Sequence, residues 1–134
     1  MKKMLGLAMG AMIAAGAIAN TAHAEETVTW WDFLSGGDGV RMKQLISDFN
    51  EQHAGEIKIE ATTLEWGTPF YSKVRTSAAI GEAPDMMTYH ASRIPLAVSQ
   101  GILSEITPED WEAMGLSEAD FAPATWDAVT IDGE

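Results

Sequence analysis

The chain has 134 residues, and 20 Asp and Glu against 8 Lys and Arg give it a formal net charge of −12 at pH 7. So large an acidic excess argues against a nucleic-acid-binding protein, since contacts to phosphates require a basic surface. The lack of Cys excludes disulfide scaffolds, thiolate metal sites and thiol nucleophiles, and a hydrophobic fraction of 46% is too high for a disordered acidic tail.

The first residues have the three parts of a secretory signal peptide. Lys2 and Lys3 precede an apolar run from Met4 to Ala19, and Ala22-His23-Ala24 supplies the small residues of a cleavage site. An uncleaved membrane anchor is the less favoured interpretation, because the run is shorter than the ~20 residues that span a bilayer. We predict that residues 1–24 are removed, which takes away two lysines and changes the net charge from −12 to −14.

Strand and helix patterns alternate after the predicted leader. β-Branched and aromatic residues predict a strand over Thr27–Phe33, and a Gly-rich turn follows it. Apolar residues on one helical face predict a helix over 42–49, with Asp38 as its N-cap and Gly55 as its stop. Alternating side chains over Ile57–Thr63 predict a second strand.

The pattern continues through the next 40 residues. Thr68-Pro69 predicts the start of a helix that ends at Gly81 and has Phe70, Val74 and Ser77 or Ala78 on its inner face. Asp85–Tyr89 is typical of a short strand, and Asp85 itself of a residue that stabilises the preceding turn. Residues 92–100 predict a further helix.

Short elements are predicted at the end of the chain. Thr107-Pro108 followed by acids predicts a capped helix, and Ser117 begins another. Val129 and Ile131 alternate as in a strand, and Asp132-Gly133 is a strong hairpin signal. Because a hairpin needs a second strand, we expect the sequence to be cut short within this unit. The alternative is a frayed terminus that happens to contain Asp-Gly.

The order of these elements predicts the fold class. Alternating strands and helices with short links indicate an α/β fold, in which helices cover both faces of a parallel sheet. Ligands of such folds bind at the carboxyl ends of the strands. Segments 31–39, 64–68 and 88–92 are therefore expected to face a ligand.

Several motifs together resemble one known family. They are Trp31-Asp-Phe-Leu-Ser-Gly-Gly-Asp-Gly39, Ala79-Ile-Gly-Glu-Ala-Pro-Asp85, His90-Ala-Ser-Arg93 and Asp132-Gly133. In order and spacing they resemble the N-terminal part of extracellular solute-binding proteins of family 1, the sugar-binding components of ABC importers. Glu134 departs from the family pattern, since Lys is common at that position.

This resemblance implies a fold, a location and a set of partners. Residues 25–134 would form part of lobe one of a two-lobe, type II periplasmic-binding-protein-like molecule that is incomplete at its C-terminus. Such a protein is expected to bind a sugar or small oligosaccharide in the periplasm as a monomer and to deliver it to permease subunits. The resemblance implies no cofactor and no catalysed reaction, and we predict no catalytic residue and no metal ligand.

Sugars have apolar C–H faces and many hydroxyls, so their sites combine flat aromatic rings with polar groups. Trp31, Trp66 and Tyr71 are the predicted aromatic residues of such a site, and Trp30 is assigned to the core because adjacent strand residues face opposite ways. A packing role is the alternative for each of them.

Polar contacts are predicted from two further segments. Ser35, Gly36 and Gly37 precede a helix start, where backbone N–H groups are free to bind a ligand oxygen; the alternative is a simple turn. His90 follows the third strand and is predicted to contact the ligand, with a structural role as its alternative.

Two other functions remain open from the sequence. One is a secreted carbohydrate-active enzyme fragment that uses a carboxylate pair, for which Asp32 and Glu65 are available but not singled out by any motif. The other is a truncated product without activity, because missing parts would leave strand edges exposed.

Overall fold

Three parallel strands form the sheet of the protein, which a computed structural model describes over residues 24–133. β1 (Glu26–Asp32) lies between β2 (Ile57–Thr63) and β3 (Met86–Met87). Glu26 is opposite Ile57, and Trp30 is opposite both Ala61 and Met86. The predicted α/β class with a parallel sheet is confirmed. The predicted leader, apart from Ala24, lies outside the described residues.

Five α-helices and two 3₁₀ turns connect and follow the strands within residues 24–133. None of them is long and apolar enough to cross a membrane. The α-helices are α1 (Gly36–Gln52), α2 (Thr68–Ala79), α3 (Ile94–Ser99), α4 (Pro108–Met114) and α5 (Pro123–Val129), and the 3₁₀ turns are Ala91–Arg93 and Glu118–Asp120.

The inner face of α2 supplies much of the buried core. Phe70 and Val74 are fully buried, and Ser77 one turn later is also buried. These positions are three and four residues apart and so lie on one side of the helix. This is the inner face that the sequence predicts. Ala97 of α3 and Pro84, in the loop before β3, are further buried apolar residues in the described part of the chain.

The start of α1 differs from the prediction. Ser35, with an extended backbone, is the N-cap, and the helix begins at Gly36 rather than after Asp38. Asp38 instead lies in the first turn, where a negative charge is favourable to the helix dipole. At the other end the helix finishes at Gln52, before Gly55, which has φ +84° in the turn that leads to β2.

Asp85 connects the loop before β3 to β1. Its carboxylate accepts hydrogen bonds from the Thr29 backbone N–H at 2.8 Å and from the Thr29 hydroxyl at 2.7 Å. The Thr29 hydroxyl also accepts from the Asp85 N–H at 3.0 Å. These bonds to the charged carboxylate hold the pKa of Asp85 below its ordinary value. Asp85 therefore has a structural role, but its bonds join the loop to β1 rather than stabilising the preceding turn as predicted.

The predicted cap of α4 is also confirmed. The Thr107 hydroxyl accepts from the Asp110 N–H, and the Asp110 side chain accepts from the Thr107 N–H, which is a reciprocal capping box. The helix ends at Gly115 in the left-handed conformation, with φ +66°.

The predicted strand near the end of the chain is wrong. Val129 belongs to α5, whose Trp126 ring packs 5.3 Å from Trp111 and 5.7 Å from Phe121 between centroids. The helical backbone keeps the Trp126 ring in contact with Trp111 and Phe121. The local alternation of residues 127–131 gives no information about that contact. Asp132 and Gly133 do have positive φ, as the predicted turn type requires.

Candidate functional site

The loops that follow the three strands begin side by side at one edge of the sheet. The Leu64 N–H donates to the Asp32 carbonyl at 2.7 Å, which holds the loop after β2 against the end of β1. The Thr88 N–H donates to the Trp31 carbonyl at 2.9 Å, which does the same for the loop after β3. The carboxyl ends of all three strands therefore meet, as the parallel sheet requires.

Five rings from these loops and from α2 form an aromatic cluster at this edge. Phe33 stacks on the His90 imidazole, with centroids 4.8 Å apart and planes 2° from parallel. Trp66 meets the same imidazole edge-on at 6.4 Å. Tyr71 packs edge-to-face on Tyr89 at 5.2 Å. The members of the aromatic cluster are Phe33, Trp66, Tyr71, Tyr89 and His90.

His90 is held from two sides. Its ring lies on Phe33, and its Nδ1 atom forms a hydrogen bond with the Tyr71 hydroxyl. Tyr71 is in turn covered by the Arg93 guanidinium, whose carbon lies 4.0 Å from the phenol centroid, a cation–π geometry. Burial raises the pKa of Tyr89 above its ordinary value, so this neighbour remains a neutral phenol.

Trp66 presents the largest open aromatic surface of the cluster. The residue is 66% exposed although it lies beside His90. It precedes Gly67, which has φ +89° and begins the turn into α2. An indole held at a strand end with one face in solvent can stack on an apolar ligand surface.

The structure places the other predicted residues around this edge. Trp31 is partly buried, and the Lys73 ammonium lies 4.8 Å from its ring centroid. Ser35, Gly36 and Gly37 are exposed at the start of α1. Trp66, Tyr71 and His90 are the predicted residues that the aromatic cluster brings together. A ligand contact by any of these residues stays a prediction.

Asp32 has a structural role at the end of β1. It is only 4% exposed, and its two oxygens accept hydrogen bonds from the Leu34 N–H at 2.9 Å and the Thr63 hydroxyl at 3.3 Å. A general acid or nucleophile must be accessible to its substrate, whereas the Asp32 carboxylate is buried and hydrogen-bonded to neighbouring residues of the protein. Glu65 is exposed in the next loop.

Three residues of this edge were not predicted from the sequence, namely Phe33, Tyr89 and Arg93. All three lie in or next to the segments expected to face a ligand, so their position at the strand ends is the sequence feature that could have identified them. Their roles depend on contacts across the fold. Phe33 meets Phe70 at 4.9 Å and His90 at 4.8 Å, and these partners are distant in sequence.

Other places are less suited to a polar ligand or a metal ion. A cavity of about 310 Å³ lies among α3, α4 and α5, but its lining is mainly apolar, including Ile94, Val98 and Val129. No group of three or more His, Asp or Glu side chains within residues 24–133 is arranged to hold a metal ion.

Solute-binding proteins are among the solved structures to which this chain is similar. One is the galacto-N-biose-/lacto-N-biose I-binding protein of an ABC transporter from Bifidobacterium longum, in complex with lacto-N-biose, with TM-score 0.68 and 22% identity over 82% of this chain. An extracellular solute-binding protein of family 1 from Alicyclobacillus acidocaldarius has TM-score 0.69 and 20% identity over 83% of the chain.

A third structure shares more of the sequence. It is an ABC transporter solute-binding protein from Agrobacterium vitis S4 with bound D-mannitol, with TM-score 0.61 and 29% identity over 81% of this chain. The chain spans 25–27% of the length of these three structures. No protein-family model and no curated protein sequence matches it. The fold is that of ABC solute-binding proteins.

Proposed function

We propose that the chain is the N-terminal part of lobe one of a sugar-binding protein, which is exported to the periplasm and delivers its ligand to an ABC permease. The observation that carries this proposal is the exposed Trp66 indole beside His90, at the carboxyl edge of the parallel sheet. The structures of the same fold in complex with lacto-N-biose and with D-mannitol support the choice of ligand class.

The chemistry of the edge suits a neutral, hydroxyl-rich ligand. The open Trp66 face offers contact to the C–H face of a sugar ring. The His90 imidazole and the free N–H groups at the start of α1, next to Ser35, offer hydrogen bonds to hydroxyl oxygens. Carbohydrate sites combine these two kinds of group.

The affinity of the chain alone should be weak. Binding proteins with two lobes enclose the ligand by hinge closure, and residues 24–133 supply groups on one side only. We therefore expect dissociation constants of the order of 1 mM, which corresponds to about −4 kcal/mol. Detection must tolerate fast exchange and high ligand concentration.

A titration of the tryptophan indole N–H signals by NMR tests the proposal. The purified chain is titrated with glucose, maltose, lacto-N-biose and D-mannitol. At least one should shift the Trp66 signal, and Trp66→Ala should weaken binding about three- to tenfold, the range that one stacking contact contributes. Trp126→Phe is the matched control, since the Trp126 ring packs on Trp111 and Phe121 and not on a ring of the aromatic cluster.

Two results would contradict the proposal. One is the absence of saturable shifts with every member of the panel. The other is binding that Trp66→Ala leaves unchanged while Trp126→Phe abolishes it, because that result would move the ligand to the cavity among α3, α4 and α5.

A further inference from the structure

The imidazole of His90 is fixed before any ligand arrives. Its ring plane is set by the parallel stack on Phe33, and its Nδ1 is joined to the Tyr71 hydroxyl. Trp66 lies edge-on to the same ring. Among residues 24–133 Nε2 has no hydrogen-bond partner, and it is not among the buried unpaired atoms, so it reaches solvent.

The charge near Tyr71 favours one direction of the hydrogen bond between Tyr71 and His90. The Arg93 guanidinium lies over the phenol ring at 4.0 Å, and a cation on the ring face withdraws electron density and strengthens the hydroxyl as a donor. A phenol O–H that donates to Nδ1 makes this nitrogen the acceptor of the imidazole. A neutral imidazole has one donor and one acceptor nitrogen, so its proton must then lie on Nε2.

We infer that Tyr71 is a positioning residue that holds the uncharged form of the His90 imidazole in its Nε2–H tautomer, so that this form presents one hydrogen-bond donor beside the Trp66 indole. The ligand group that this arrangement selects is an acceptor oxygen next to an apolar C–H face, as in a sugar hydroxyl or ring oxygen. The ligand part of this inference rests on the proposed function, whereas the tautomer does not.

Long-range ¹H–¹⁵N correlation spectra of ¹⁵N-histidine-labelled chain, recorded without ligand, test the tautomer. His90 should show the Nε2–H pattern in the unaltered chain. Tyr71→Phe removes only the hydroxyl and should convert the pattern to a mixture of tautomers. Tyr89→Phe is the matched control, since Tyr89 packs on Tyr71 but makes no bond to His90, and it should leave the pattern unchanged.

The spectrum of the unaltered chain can overturn the inference even if a variant fails to fold, whereas support for the inference comes from the comparison with Tyr71→Phe. A His90 signal in the Nδ1–H form would overturn the inference, as would an unchanged Nε2–H pattern in folded Tyr71→Phe. Loss of the pattern in Tyr89→Phe as well would indicate general packing rather than positioning.

A second measurement separates this inference from the proposed function. Titration with D-mannitol should shift the His90 Nε2 resonance in the unaltered chain, and Tyr71→Phe should weaken that binding severalfold. An intact Nε2–H pattern with no response to any sugar of the panel would count against the proposed function while supporting the positioning of His90. Equal binding by Tyr71→Phe and the unaltered chain would overturn the ligand part of the inference.

Discussion

Replacement of Gly39 by Ala should destabilise the protein, although Ala usually favours a helix. Gly39 is buried in α1, and a Cβ atom added there would lie 2.7 Å from the Leu34 carbonyl oxygen and 3.1 Å from its carbon. Contacts below 3.0 Å are essentially never seen for a real Cβ. Because the obstructing atoms are backbone, the helix itself must move away from the loop that follows β1.

The magnitude of the destabilisation follows from a comparison of Gly39 with Gly37 in the same helix. Gly37 has open space around its Cβ position, and neither Gly37 nor Gly39 has positive φ. Ala should therefore stabilise at position 37 by up to about 1 kcal/mol through its helix propensity. At position 39 the steric conflict adds a cost of about 1–3 kcal/mol, the range for overpacking. The difference between the two variants isolates this cost.

Urea unfolding followed by far-UV circular dichroism measures both variants. We expect the free energy of unfolding of Gly39→Ala to be lower than that of Gly37→Ala by about 1–3 kcal/mol, with similar slopes against urea. Equal stabilities of the two variants, or a more stable Gly39→Ala, would refute the argument that Leu34 requires glycine at this position.

Two further perturbations test the core and the sheet. Phe70→Ala should lower the free energy of unfolding by about 3–5 kcal/mol, since Phe70 is fully buried against Phe33. Its control is Val40→Ala, at a 70% exposed site, which should change the free energy of unfolding by less than about 0.5 kcal/mol. Equal midpoints of the two variants in thermal melts would contradict the assignment of Phe70 to the core. The pKa of Asp85 is lowered by its bonds to Thr29, so its stabilisation is present above the ordinary carboxyl pKa and is lost as the pH falls through the lowered pKa. Urea midpoints between about pH 5 and about pH 2 should therefore fall less steeply in Asp85→Asn than in the unaltered chain, and identical pH profiles would show that the bonds to Thr29 do not favour the ionised carboxylate.

Local patterns anticipated most of the fold because their causes are local. The inner face of α2 follows from the three- and four-residue spacing of Phe70, Val74 and Ser77. The capping box of α4 involves residues only three apart, Thr107 and Asp110. Where a distant contact competes with a local pattern, prediction failed, as at Val129, whose helix is held through Trp126 against Trp111.

The sequence predicted where the candidate site lies but not which of its side chains contact one another. Parallel strands put Trp66 and His90 at one edge, and this much followed from the order of elements. The partner of each ring did not follow, because Phe33 and His90 are brought together by the pairing of β1 with β3. The role of Phe33 became visible only through that pairing.

By itself the sequence determined the acidic charge, the alternation of strands and helices, the parallel sheet and the edge where the loops gather. These depend on composition, on side-chain periodicity and on chain connectivity, which are properties of short segments. Only the tertiary structure decided that β1 is the central strand, that Asp32 faces inward and that Tyr71 bonds to His90 beneath Arg93. Those outcomes depend on distances between residues that are far apart in the chain. These distances are set when the buried face of α2 packs on the sheet.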